Sequence, residues 1–458
     1  MPGSWPSLFP LRSVPERFVH SPLVQRVVRN SGYVLSANTA SAALSFLQTL
    51  MAARLLGVAG YGLLGIITVF ASNVNRLTSF RMGELVVRYV GKFSAGGETP
   101  KAMAVFKAAG LTEMLSSLVA YALVVLLSPL AARYLAKDPS TRGLFMMYGL
   151  VLLANLMAES STALLQYFNR FRLIAAFTVA QSVLTLVLIA GAFAAHGSLR
   201  SVVLAYLVGK AAWAVGITLA AAVEATRAWG VRWWSTPLGT LRGHVRELTR
   251  FAVSTNASAT INLVTRDSDI LWVSLLSTSE AVGYYKAART FINIIFVPVD
   301  PLIGTTYREL AREAAARQWA NVRHLLRTGS LIASAWAVPA CLGLLVLGPW
   351  FLSWYGPEFV AAYPAMAILL AGVLVVNVFY WTRILLHAMG KASYPTRTYL
   401  LVGLLQVAGI LLLVPALGAP GMALMWSGYS ILTSAILIRK GMLEMRRESA
   451  GDMAPAAL

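Results

Sequence analysis

Long apolar runs fill most of the chain, and short Arg-rich polar segments separate them. The runs are apolar on every side, a pattern that suits helices surrounded by lipid better than helices with one buried stripe. A hydrocarbon core about 30 Å thick takes about 20 helical residues. Twelve stretches meet that length: 34–56, 59–80, 103–128, 143–167, 173–195, 200–222, 251–276, 281–306, 328–350, 362–388, 396–416 and 419–438. A strand barrel would alternate over segments of about ten residues, and these runs do not.

Composition agrees. Of 458 residues, 58% are hydrophobic and 12% charged, with a mean hydropathy of +0.68. Soluble domains have roughly 25% charged residues. The remaining charge is basic, 38 Lys and Arg against 18 Asp and Glu. In a soluble chain a net +20 would suggest nucleic acid. Its distribution says otherwise. Twenty-seven of the cations fall in the N-terminal arm, in the connections after even-numbered spans, and in the tail. Lys107 and Arg397, just inside span ends, are counted with the connections they adjoin. Four lie on the other side: Arg133, Lys137, Arg142 and Arg200. By the positive-inside rule both termini are expected in the cytoplasm of a multi-pass plasma (inner) membrane protein. Cys341 is the lone cysteine, so no intramolecular disulfide or cysteine-built metal centre forms. The arm with Arg12, Arg17, Arg26 and Arg29 has no apolar core, so no cleavable signal peptide is expected.

Two segments repeat. Gly60-Tyr61 matches Gly283-Tyr284 at an offset of 223, and Leu164-Leu165-Gln166 matches Leu385-Leu386-His387 at 221. The expected fold is all-α: two six-helix pseudo-repeated bundles around a central cavity, related by an axis along the membrane normal. The expected organisation is an arm (1–30), an N-terminal bundle (31–222), a linker (223–250), a C-terminal bundle (251–440) and a tail (441–458). The linker holds Trp229, Trp233 and Trp234 among arginines and is expected to form an interfacial amphipathic helix.

The segment 53–62, with Ala53-Arg54-Leu55-Leu56-Gly57 leading to Gly60-Tyr61-Gly62, and the segment 265–288 resemble the polysaccharide-transporter branch of the multidrug/oligosaccharidyl-lipid/polysaccharide (MOP) exporter superfamily, which includes the O-antigen flippases. The resemblance spans about 30–440. It implies a transporter, not an enzyme, that moves polyprenyl-pyrophosphate-linked glycans between leaflets, with glycan-assembly proteins as potential partners alongside membrane lipid.

Charges within spans are costly and usually line interiors or watery cavities. On the eighth span Lys286, Arg289, Asn293 and Asp300 fall on one face. With Arg76, Arg266 and Arg383 they form the candidate cationic path for a pyrophosphate; the alternative for the stripe is packing against neighbours. Pro298 and Pro301 flank Asp300 and favour a kink. On the seventh span Asn262, Arg266 and Asp269 share a face, and Arg266–Asp269 is a candidate ion pair; Asp267 points away. Glu113, Glu159, Asp267, Asp269 and Asp300 are candidates for coupling to a proton or sodium gradient. Glu113 and Glu159 could equally be hydrogen-bonded structural acids. Arg54 and Arg383, near span ends, could snorkel. No nucleophile triad, metal cluster, cofactor motif or Walker A loop is present, so ATP does not power the chain directly. Two alternatives compete with the glycolipid flippase: a cation-coupled multidrug exporter, which needs acids and aromatics in its cavity, and a membrane enzyme of glycan polymerisation, which the small outer loops disfavour.

Overall fold

A computed structural model describes residues 22–252, 268–391 and 393–453. The described secondary structure is all helical. Helix α1 (Pro22–Thr78) holds the first two expected spans, divided at Gly57, whose φ of 65° lies in the region that glycine enters without a Cβ penalty. Then come α2 (Met82–Ala95), α3 (Thr99–Leu130), α4 (Arg142–Ala154), α5 (Ala158–Tyr167), α6 (Phe171–Ala194) and α7 (Leu199–Trp229). The second half contains α8 (Asp269–Leu276), α9 (Ser279–Phe296), α10 (Asp300–Ala315), α11 (Trp319–Ser353), α12 (Tyr363–Val378), α13 (Thr382–Ala388), α14 (Ser393–Leu417) and α15 (Ala419–Met453).

Nine stretches among the described residues are long and apolar enough to span a membrane. The first, Leu35–Thr78, covers two expected spans; α9, with Glu280, Lys286 and Arg289, is outside the nine. Three expected spans are not continuous helices, although Pro139–Tyr167 and Pro357–Ala388 remain long and apolar enough to cross a membrane. The stretches 143–167, 281–306 and 362–388 are each broken, at 155–157, 297–299 and 379–381. The middle break adjoins Pro298 and Pro301, where a kink was expected. The other two contain no proline or glycine.

Three cores explain how the halves join. One is shared by both, with Tyr61, Ile66 and Phe145 from the first half beside Tyr285, Phe291 and Phe359 from the second. A second is built from 82–252 alone and a third from 299–445 alone. The bundles thus fuse at one end and keep separate cores at the other. Edge-on aromatic pairs hold the fused end, with Tyr61 5.9 Å from both Tyr355 and Phe359, and Phe46 5.6 Å from Phe291. Each such pair contributes about 0.5–1.5 kcal/mol beyond burial.

The halves approach closely at Gly62 and Gly283, which pair at an offset of 221 rather than the 223 that matched Gly60 to Gly283. A Cβ on Gly62 would overlap the Ser279 carbonyl, and one on Gly283 would overlap that of Val58. These contacts are mates, since adding 221 to 62 and 58 gives 283 and 279. Such reciprocity is what a two-fold relation produces. Lipid provides no hydrophobic drive between helices, so small residues that let backbones approach carry the packing. Thr49 to the Tyr355 hydroxyl (3.1 Å), Arg54 Nε to the Trp354 carbonyl (2.6 Å), Ser274 Oγ to the Leu135 carbonyl (2.7 Å) and Lys137 to the Ser277 carbonyl add polar ties at this end.

The linker takes another form than a single interfacial helix. Helix α7 runs on to Trp229, short 3-10 turns follow, and helix resumes at 245. Trp233 is buried 5.2 Å from Phe106, its indole donating to Thr226 Oγ1 at 3.1 Å.

Candidate functional site

Each bundle carries a cavity at a break. In the N-terminal half it measures about 700 Å³ and lies where α1, α2, α3, α5 and α7 meet. A helix start leaves backbone N–H groups unsatisfied, and the break at 155–157 creates such a start inside an apolar bundle. Glu113 from α3 answers it: its carboxylate accepts from the N–H of Glu159 (2.8 Å) and of Ser160 (2.9 Å). Negative charge at a helix N-terminus also meets the favourable end of the helix dipole. Glu159 repeats the device one element away and accepts from the Gly83 N–H at the start of α2 (3.3 Å). A Cβ at Gly83 would crowd the Glu159 side chain at 3.0 Å. The two acids, read separately from the sequence, are therefore successive links between α3, α5 and α2. Glu113 uses both oxygens on backbone. Glu159 also forms part of the cavity wall, beside Thr162 and Gln166.

The cavity of the C-terminal half, about 640 Å³, is its counterpart. Adding 221 to N-terminal lining residues gives C-terminal ones: Asn75 and Phe296, Gly83 and Gly304, Glu159 and Tyr380, Thr162 and Arg383, Gln166 and His387, Trp213 and Ser434. The chemistry differs. Among the described residues no Asp or Glu lines the second cavity; Tyr307, Tyr380, Tyr399, Tyr429 and Trp426 do, with Arg383 and His387 as its basic groups. Its break is held by neutral bonds: Ser330 Oγ donates to the Val378 carbonyl (2.9 Å) and accepts from the Trp381 indole (2.7 Å). Tyr380 shares a 2.8 Å bond with Thr306. Asn377, 1% exposed, has a side-chain oxygen with no hydrogen-bond partner.

The expected stripe on α9 is divided. Lys286 lies 3.9 Å from the centre of the Tyr61 ring, in the seam between the halves. Arg289 pairs with Asp269 at 2.8 Å and lies 5.2 Å from the Trp426 ring centre, and the Tyr285 hydroxyl donates to the same carboxylate at 3.0 Å. Asp269 is thus committed to Arg289 and Tyr285 within its own half. Arg289, 20 residues further on, is a described partner of Asp269; the candidate Arg266–Asp269 pair, like Asp267, involves residues outside the described ones. Asn293 is exposed on α9, and Arg76 is exposed beside the cavity residue Asn75. Asp300 begins α10. Arg383 is exposed at its cavity, and its carbonyl lies 2.8 Å from His387 Nδ1. Among the described residues no group of three metal-ligating side chains occurs. The sequence reading missed the aromatic wall, although applying the repeat offset to Glu159 points straight to Tyr380.

The fold is shared with solved transporters of the MOP superfamily. An inward-facing multidrug resistance transporter of its MATE family superposes with a TM-score of 0.69 at 12% identity, covering 90% of this chain and 96% of that one. The lipid II flippase MurJ, in an inward closed conformation, gives 0.68 at 14% identity over 90% and 89%. A MOP superfamily transporter from Pyrococcus furiosus gives 0.62 at 12% over 93% and 96%. No curated protein matches the sequence. Residues 27–307 match the polysaccharide biosynthesis protein family, and the chain belongs to that family. It is a multi-pass membrane protein.

Proposed function

We propose that the chain is a flippase that moves a polyprenyl-pyrophosphate-linked glycan across the plasma membrane by alternating access, without catalysing a covalent step. The observation that carries this reading is the C-terminal cavity, which combines aromatic and hydroxyl groups with Arg383 and His387 and, among the described residues, has no lining acid. A cationic drug would need a carboxylate there. A glycan with a phosphate-bearing link presents hydroxyls, apolar ring faces and negative charge, which these side chains complement. Arg suits phosphate because its planar fork donates two bonds at once. Membership of a polysaccharide biosynthesis family and the likeness to a lipid II flippase support the same substrate class.

With the cytoplasmic termini that the charge distribution favours, the fused end faces outward and the cavities belong to the cytoplasmic half. The N-terminal cavity supplies the coupling site in this reading: Glu159 takes up a proton or sodium ion, and Glu113 holds the helix start that positions it. Proteins of glycan assembly supply the cargo on one side and consume it on the other. Deleting the gene tests the proposal. Lipid-linked glycan should accumulate in the inner leaflet, and the intact gene should restore export. Unchanged glycan export in the deletion strain, with raised sensitivity to cationic drugs, would contradict it.

A further inference from the structure

A second cationic place lies on the linker, away from both cavities' breaks. Arg246 and Arg250 are four residues apart on the helix that resumes at 245, so they share one side of it, while Val245 and Leu248 share another and Leu241 precedes them in the 3-10 turn. The apolar side, with Phe80, Met82 and Leu85, lines a cavity of about 420 Å³. On the basic side a cavity of about 670 Å³ is lined by Arg88 from α2, by Arg246 and Arg250, and by Tyr89, Gly243, Glu247 and Phe251. The Arg88 guanidinium lies 4.9 Å from the Phe251 ring centre. Among the described residues Glu247 is the only acid in this wall, and it is already engaged. It accepts from the Tyr89 hydroxyl (3.1 Å) and from Lys92 Nζ (3.2 Å), and His244 lies 3.6 Å away. The hydrogen bond from Lys92 holds its carboxyl below the usual range. Among the described residues, Arg88, Arg246 and Arg250 have no carboxylate partner.

Three guanidinium groups around one hollow repel one another, and an anion there relieves the repulsion. The adjoining apolar slot, walled by the same linker and α2, fits a ligand that joins an anion to a hydrocarbon chain. We infer that this is a binding site for the phosphate group of a membrane lipid, gripped by Arg88, Arg246 and Arg250, with its chain against Leu241, Val245 and Leu248. Basic groups at the cytoplasmic surface attract anionic lipid generally, but a forked donor set beside an apolar slot selects phosphate on a chain. Arg88 also lines the N-terminal cavity, so a lipid held here lies at that cavity's edge. The inference stands whatever the cargo is.

The test uses the purified full chain in neutral detergent and soluble probes: dioctanoyl phosphatidylglycerol and farnesyl pyrophosphate, each against its phosphate-free counterpart, dioctanoylglycerol and farnesol. Both phosphate probes should bind more tightly than their counterparts, and added salt should weaken them. Arg88→Gln, Arg246→Gln and Arg250→Gln together should lower affinity about tenfold or more, the corresponding Lys variant should fall between, and Arg242→Gln should bind as wild type. If the triple variant fails to fold, Arg246→Gln alone, at an exposed position, should still lose affinity measurably. A preference for farnesyl pyrophosphate would assign the site to a polyprenyl-linked cargo; equal binding would assign it to bulk phospholipid. Equal binding of farnesol and its pyrophosphate, or Gln variants that bind as tightly as wild type, would overturn the site. These readouts need no export, so they stand apart from the test of the flippase reading.

Discussion

Glu159 and Tyr380 occupy the same place in two copies of one helical design, and around them the two cavities have diverged. The first is built on carboxylates: Glu113 satisfies the broken helix and Glu159 reaches to the next element. The second satisfies its break with Ser330 and Trp381 and presents tyrosines, Trp426, Arg383 and His387. In the proposed reading one half serves a cation and the other a polar or anionic ligand with flat faces. A repeat allows this division of labour, because duplication keeps the frame while lining residues change. The fused end has not diverged in the same way: Gly62 and Gly283 remain glycines, since each must pass the other half's backbone.

The largest effect is expected at that conserved contact. Gly62→Val and Gly283→Val should each wedge the fused end open and nearly abolish export, with matching severity because the contacts are mates. Overpacking costs of about 1–3 kcal/mol or more support this. In a Cys341→Ser background, Ser274→Cys, buried at this end, should become reactive towards thiol reagents in either variant. Full export by Gly62→Val would break the symmetry argument.

A smaller, unequal effect is expected at the breaks. Glu113→Ala strands two N–H groups, each costing about 1–3 kcal/mol when buried, and should lower thermal stability clearly; Glu113→Gln should recover part of it through its remaining oxygen. Ser330→Ala removes neutral bonds of about 1 kcal/mol each and should do less. Equal losses from Glu113→Ala and Ser330→Ala, measured by thermal unfolding in one detergent, would remove the distinction between charged and neutral capping.

The smallest effect concerns pH at the linker. Glu247 has a lowered pKa in the folded chain because Lys92 and Tyr89 bond its ionised form. Its contribution is present above the unfolded carboxyl value of about 4.3 and is lost as pH falls through the lower folded value. The melting-temperature gap between wild type and Glu247→Gln should therefore be steady at neutral pH and close in acid.

Apolar run length made the membrane fold legible, and Pro298 with Pro301 announced one break. The breaks at 155–157 and 379–381 were invisible because no local breaker marks them. They are held from a distance, by Glu113, 46 residues before Glu159, and by Ser330, 48 before Val378. The acids were recognisable one at a time, whereas their linkage runs through backbone N–H groups that sequence does not display. Spacing on a single helix offered Arg266 as the partner of Asp269. Packing between α8 and α9 brings it Arg289, which spacing on one helix does not show. Tyrosines in an apolar run look like ordinary packing until the repeat aligns them with charged residues.

The division of labour between the cavities is tested most directly by reconstituting wild type, Glu159→Gln and Arg383→Ala in proteoliposomes and measuring lipid-linked glycan translocation with and without a proton or sodium gradient. The account predicts that Glu159→Gln loses the response to the gradient while still binding glycan lipid. It predicts that Arg383→Ala binds glycan lipid more weakly yet still responds to the gradient. A gradient response unaltered in Glu159→Gln, or the same defect in both variants, would contradict it.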